Sequence, residues 1–321
     1  MKEVVVLSGK GGTGKTSIVG CFAALASSKV LADCDVDAAD LHLLLNPSVR
    51  EKKEFWSGQT AFIDEKSCTQ CGMCETVCRF GAIKDLVVSP LACEGCAFCV
   101  HVCPEHCITM KERMAGYWYI SDTRHGPLVH AQLGIAEENS GKLVTMVKQQ
   151  ARLLAHGEGR DLLIVDGPPG IGCPVISTIS GADLVLVVAE PTVSGVHDMQ
   201  RILETALHFR IPAQVCVNKA DIYMKGTHLI EAYCHDHSIE LVGQIPFDET
   251  VTQAMLNAEP VTSFCPGAPA SSPTGRTGSR TQPAPGSSSR PTPAAECSHA
   301  RGSSQLPSPG RSPALPTPRL I

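Results

Sequence analysis

Ser8-Gly9-Lys10-Gly11-Gly12-Thr13-Gly14-Lys15-Thr16 decides how this chain is read. The stretch follows an apolar β-branched run, Val4-Val5-Val6-Leu7, and opens a helix-period segment. Glycines at these positions let successive backbone N–H groups close around phosphate oxygens, and the start of a helix adds partial positive charge. At this spacing Lys15 reaches the β- and γ-phosphates of a nucleotide, and the Thr16 hydroxyl ligates Mg²⁺. Gly9, Lys10, Gly11, Gly12, Thr13, Gly14, Lys15 and Thr16 are the expected phosphate-binding residues.

Outward from the loop, Leu162-Leu163-Ile164-Val165, Leu184-Val185-Leu186-Val187-Val188 and Val215-Cys216-Val217 also read as buried strands. Helix-period stretches separate them; in one, Leu143, Val147, Ala151 and Leu154 share a face. Buried strands alternating with helices imply an α/β fold, a mostly parallel sheet with helices on both faces. Asp166-Gly167-Pro168-Pro169-Gly170 ends one strand, so Asp166 stands where a carboxylate beside the phosphate site belongs. Asp33-Cys34-Asp35-Val36-Asp37 follows another strand. Asn218-Lys219-Ala220-Asp221 follows a third and has the form of a base-reading segment, with Asn218 and Asp221 as its contacts; these residues alone leave ATP and GTP both open.

Residues 57–116 break the alternation and hold nine of the sixteen cysteines. Cys68, Cys71, Cys74 and Cys78 form C-x₂-C-x₂-C-x₃-C, and Cys93, Cys96, Cys99 and Cys103 repeat it, with Pro104 following. This is the two-cluster ferredoxin run, in which the fourth cysteine of each run ligates the other cluster. One [4Fe–4S] cluster is expected on Cys68, Cys71, Cys74 and Cys103, the second on Cys93, Cys96, Cys99 and Cys78. Zinc is the alternative metal for paired C-x₂-C. Arg79 stands where the ferredoxin pattern has proline, a change in backbone shape rather than in ligands.

Composition sets the frame. Net charge is −5, which gives no electrostatic reason to expect nucleic acid or an anionic membrane surface. No apolar run approaches the ~18 residues of a membrane span, and the N-terminus lacks a signal-peptide layout. A cytoplasmic protein follows, whose cysteines serve metal or redox chemistry. Four zones are expected: a nucleotide-binding domain at 1–56 and 117–265, the ferredoxin-like insertion at 57–116, and a disordered tail at 266–321 that holds twelve of the 23 prolines.

The loop with Lys10 and the doubled cysteine run together resemble the deviant Walker A P-loop ATPases of the MinD/Mrp superfamily that contain an inserted ferredoxin domain. The resemblance covers residues 1 to about 265. It implies ATP as the nucleotide, Asp35 in the Mg²⁺ shell, Asp37 orienting the attacking water, and Lys10 reaching the nucleotide of a facing subunit in an ATP-dependent homodimer. Members often carry a cobyrinic acid a,c-diamide synthase label, but that synthesis needs a glutaminase domain for which this chain has no room. A MinD/ParA-like positioning switch would want a membrane-targeting amphipathic tail, which the Pro-rich end is not; two further functions are in play. One is an ATPase that couples nucleotide state to electron transfer toward a redox partner. The other is an Mrp-type carrier that delivers Fe–S clusters to client proteins.

Overall fold

Apolar β-branched runs bury both of their faces, and each here becomes a strand of one sheet. The computed structural model describes residues 1–134 and 140–271. The chain opens with β1 (Lys2–Ser8), the glycine loop, α1 (Lys15–Leu25), β2 (Lys29–Asp33) and α2 (Leu41–Leu45). Strand β3 (Ser48–Ile63) leads out to the cysteine segment, which contains α3 (Met73–Val77), β4 (Ile83–Lys84), β5 (Val87–Val88) and α4 (Phe98–Val102). Strand β6 (Ile108–Thr123) returns and turns into β7 (Gly126–Leu133). There follow α5 (Ser140–Gly157), β8 (Leu162–Pro169), α6 (Cys173–Ile179), β9 (Leu184–Ala189), α7 (Val193–His208), β10 (Ala213–Asn218), α8 (Met224–Asp236) and β11 (Glu240–Ile245). Helices α9 (Glu249–Leu256) and α10 (Val261–Phe264) close this part of the chain, with a 3-10 turn at Pro269–Ser271.

The nine strands lie in the order β11-β10-β9-β1-β8-β2-β7-β6-β3. Every pairing from β11 to β7 is parallel, while β6 pairs antiparallel with both β7 and β3. Alternation along β1 divides the core: Val5 and Leu7 join α5, α6, α7 and α8 on one face, and Val6 joins α1 and α2 on the other. Leu143, Val147 and Ala151 of α5 are fully buried on the first face, and Leu154 packs partly buried beside them. A separate core gathers Ala61, Ile63, Cys74, Ile83, Cys103, Cys107 and Ile108 around the cysteine segment. Among the described residues no helix is long and apolar enough to cross a membrane.

Two expected boundaries move. Positions 57 and 116 fall inside β3 and β6, which pair from Ser48↔Asp122 to Ile63↔Ile108. Composition changes at the cysteines, but the hydrogen-bonded ribbon carrying them starts in the main sheet. At the other end, ordered chain continues past Cys265. Ala268 and Ala270 are buried, the Ala270 N–H donates to Asp248 Oδ2 at 3.1 Å, and Ser271 Oγ donates to the Cys265 carbonyl at 2.8 Å. The rest of the expected tail lies outside the described residues.

A buried ion cluster ties β1 to α5. Glu3 is 3 % exposed and lies 2.7 Å from Lys148 Nζ and 2.6 Å from Arg152 Nε. Burial pushes the Lys148 ammonium down and Glu3 opposes that shift. Removing one member of a buried pair strands the other charge. Glu3→Ala is expected to lower stability by about 3–5 kcal/mol in urea unfolding. Lys2→Ala, which breaks an exposed pair with Asp183, is expected to stay within about 1 kcal/mol.

Candidate functional site

The chain leaves β1 toward β2 on one side, whereas its neighbour β8 connects back past β1 to β9 on the other, and such a reversal is where open α/β sheets bind ligands. The glycine loop fills this point. Gly12 (φ 79°) and Gly14 (φ 87°) adopt left-handed backbone, which glycine reaches without steric cost. A Cβ on Gly14 would sit 2.3 Å from Asn218 Nδ2. Helix α1 starts at Lys15 with no side-chain cap, leaving its first N–H groups as donors for an anion.

Lys15 is 5 % exposed, with Nζ 2.5 Å from Asp166 Oδ1 and 3.7 Å from Asp35 Oδ2. Burial alone would push its ammonium down; the Asp166 charge and hydrogen bond, with Asp35 and Asp33 behind, outweigh it and hold the pKa above the ordinary value. Asp166 Oδ2 is buried without a hydrogen-bond partner. An orphaned carboxylate oxygen close to Asp35, whose cavity Thr16 also lines, has the donor chemistry for Mg²⁺ or its bound water. Burial, opposed by Lys15 and aided by Asp166, Asp37 and Asp40, lifts the Asp35 carboxyl to about 6.

A cavity of about 800 Å³ opens over the loop, lined by residues including Gly12, Lys15, Thr16, Asp35, Asn218 and Phe247. Asn218 Nδ2 donates to the Thr13 carbonyl at 2.7 Å, so this residue braces the loop as well as lining the cavity. Asp221 takes a different place from the one expected. Its carboxylate accepts the Phe247 N–H at 2.7 Å, fixing the segment that walls the cavity without itself lining it. Gly9 faces α7, where a Cβ would meet Asp198 Cβ at 2.1 Å. Lys10 points along the same surface, with Nζ 3.1 Å from Glu190 Oε2 and 3.2 Å from Thr192 Oγ1. Asp37 is exposed and lines a second cavity, of about 470 Å³, rather than the one over the loop. The Asp33–Asp37 segment turns after Asp33, so alternate carboxylates separate.

Three site residues escaped the sequence reading. Asp33 is fully buried and accepts from the N–H groups of Asp35 (3.1 Å) and Leu41 (3.2 Å), which holds the acidic loop to α2. Its pKa rises well above the ordinary value through burial and the nearby Asp166, with Lys15 opposing. Glu190 bridges Lys10 and Lys219 (3.3 Å), and Lys219 donates to the Gly12 carbonyl at 3.0 Å. Strand-end position was the available signal for Asp33 and Glu190.

The two cysteine runs repeat one backbone. Gln70 (φ 58°) and Gly72 (φ 70°) match Gly95 (φ 67°) and Ala97 (φ 60°) at the same offsets from Cys68 and Cys93, and a short helix follows each. Cys68, Cys71, Cys74 and Cys103 line one small cavity together with Cys107, whose Sγ is 3.4 Å from that of Cys103. Cys78, Cys93, Cys96 and Cys99 line another, of about 420 Å³. Among the described residues no three His, Cys, Asp or Glu side chains converge on a point for one metal ion. Thiolates around a four-iron cubane each take a different iron, so such donors surround a volume instead of a point.

Strand, glycine loop, buried lysine and helix together define a P-loop nucleotide-binding site. The chain belongs to the CobQ/CobB/MinD/ParA nucleotide-binding family, which it matches over residues 4–261. It is 35 % identical over 258 residues to an uncharacterized protein of Methanocaldococcus jannaschii, covering 79 % of this chain and 88 % of that one. It is 30 % identical over 132 residues to the septum site-determining protein MinD of Bacillus subtilis, covering 40 % and 46 %. In fold it resembles the MinD of Pyrococcus horikoshii complexed with Mg-ADP, with a TM-score of 0.52 at 14 % identity, over 84 % of this chain and 91 % of that one.

The raised Asp35 pKa carries a sign. A carboxyl that binds its proton more tightly in the fold contributes stability that is fully present below about 4 and lost as pH rises through about 6. Such a shift is worth at most about 3 kcal/mol. In the ligand-free protein, Asp35→Asn is expected to flatten the fall of melting temperature between pH 4 and 7 and to be the more stable form at pH 7, as calorimetry would record.

Proposed function

We propose that this protein is a Mg²⁺-dependent ATPase whose nucleotide state, in an ATP-dependent homodimer, is coupled to electron transfer through two [4Fe–4S] clusters to a redox partner. The observation that carries the redox half is the crossed grouping of thiols: Cys103 lines the cavity of Cys68, Cys71 and Cys74, and Cys78 lines that of Cys93, Cys96 and Cys99. Those are the sets that the doubled ferredoxin run requires. Bound there, the clusters would supply one-electron chemistry.

In the ATPase half, the loop N–H groups of Gly11 to Thr16 would bind phosphate oxygens, and Lys15 would exchange Asp166 for them. Thr16 and Asp35 would hold Mg²⁺, with Asp166 Oδ2 turned toward its water shell. Asn218 would face the adenine. Asp37 would orient the attacking water only after its loop moves, since it now faces the neighbouring cavity. Lys10, parked on Glu190 and Thr192 of its own chain, would swing to the facing nucleotide when a second subunit binds. Full four-cysteine sets make poor donors of iron, and no C-x₂-C follows Cys103. Both points favour electron transfer over cluster delivery to a client.

Lys15→Ala is expected to cut ATP hydrolysis by about a hundredfold or more while leaving iron content unchanged, because the loop and the cysteine segment have separate cores. Phosphate release and iron assay on anaerobically purified protein test this, and joint loss of both would refute separate sites. Anaerobic redox titration followed by EPR tests the coupling. At least one midpoint potential is expected to differ between the ADP-bound protein and the form bound to a non-hydrolysable ATP analogue. Identical potentials would leave the cysteine segment a passenger.

A further inference from the structure

The acidic loop and the cysteine segment are far apart, yet a continuous stack of rings begins at one and ends on the strand that leads to the other. His42 sits on α2, five positions after Asp37. Its ring stacks on that of His130 in β7, with centroids 5.6 Å apart and planes 5° from parallel. His130 in turn stacks on Tyr119 in β6, at 4.9 Å and 14°. Lys52 of β3, the register partner of Tyr119, caps the far side with Nζ 5.8 Å from that ring's centroid and 3.9 Å from the Tyr117 centroid. The stack therefore crosses α2, β7, β6 and β3 in order.

Each end is fastened. At the nucleotide end, one carboxylate, that of Asp33, accepts from both Asp35 and Leu41, so the acidic loop and the helix bearing His42 share an anchor. At the arm end, β6 runs unbroken from Tyr119 to Ile108, which is buried in the same core as Cys103. The centre is held as well. His130 is 7 % exposed and its Nε2 lies 3.0 Å from Ser121 Oγ. Burial first, then His42, pushes its pKa down to about 4, so the ring is neutral at ordinary pH.

The stack also has room and an unspent contact. His42, His130 and Tyr119 share with Val36 and Asp37 the lining of the cavity of about 470 Å³, so open space adjoins the stack and the exposed Asp37, while Val36 stays seated in the main core. His42 Nδ1 is buried with no hydrogen-bond partner in this arrangement. A buried polar atom left unpaired favours any rearrangement that gives it one. Rings packed face to face in discrete positions form the kind of contiguous element that two sites can bias together.

We propose that the His42–His130–Tyr119 stack is the link through which the nucleotide-responsive loop at Asp35–Asp37 acts on the β3–β6 arm and its cysteine segment. The proposal rests on the nucleotide-site reading given above but not on what metal the cysteines hold. Hydrogen exchange read by mass spectrometry on the full chain tests it, with Mg-ADP or a Mg-bound non-hydrolysable ATP analogue present and nucleotide affinity measured in parallel. In the wild type, amides of β6 between 108 and 123 are expected to exchange about tenfold differently in the two states. His42→Ala should keep nucleotide affinity within about threefold and lose that difference, and His42→Phe, which retains a stacking ring, should restore it. Tyr119→Leu breaks the stack from the other end and should act like His42→Ala. A wild-type difference surviving in either breaking variant overturns the link. So does a wild type that binds both nucleotides with no response in β6. A wild type that binds neither nucleotide overturns the nucleotide-site reading along with it.

Discussion

A single ammonium group organises the centre of the molecule. Lys15 is sealed among Asp166, Asp35 and Asp33 at the carboxyl ends of β8 and β2, and without it these acids would repel one another in a poorly solvated space. Its presence lets two aspartates lie side by side, Asp33 at the end of β2 opposite Asp166 of β8 in register. The arrangement is held in a state that an incoming phosphate can replace, because the ion pair's partner and a nucleotide's γ-phosphate offer Lys15 the same chemistry. Asp166 Oδ2 stays buried and unpaired in the ligand-free arrangement.

The rest of the nucleotide end is braced by contacts that converge on the loop from other strands. Asn218 and Lys219 both donate to loop carbonyls, Lys219 in a left-handed backbone, and Glu190 holds Lys10 and Lys219 together. Charge is thus shared among lysines and acids from β9, β10 and the loop itself. Moving any one of them changes the partners of the others.

Much of this was legible in the residues. The strand runs, the shared face of α5, the phosphate loop and the grouping of cysteines follow from period, spacing and the chemistry of each residue type. What escaped was whatever depends on the path between elements. Asp37 and Asp35 are two apart in sequence, but a turn anchored on Asp33 sends them to different cavities. Asp221 has the sequence position of a base reader, yet here its carboxylate accepts the Phe247 N–H and does not line the cavity, a contact that no local pattern announces. Composition placed the insertion's edges at the cysteines' outskirts, whereas strand pairing, invisible to composition, carries β3 and β6 through both edges.

The β3–β6 ribbon has a consequence for how the chain assembles. Ser48 cannot meet Asp122 until everything between them has been synthesised and drawn together, and closing so long a loop is entropically costly and slow. The strands from β7 to β11 and β1, β2 have no such requirement of the cysteine segment, since β3 and β6 lie outermost in the sheet. Under the proposed ligation, Cys68 would be joined to Cys103 and Cys78 to Cys93 through their clusters, shortening the loop to be closed much as a cross-link does. Cofactor insertion would then act as a zipper pull for the outer ribbon, seating the last two strands on a sheet already formed.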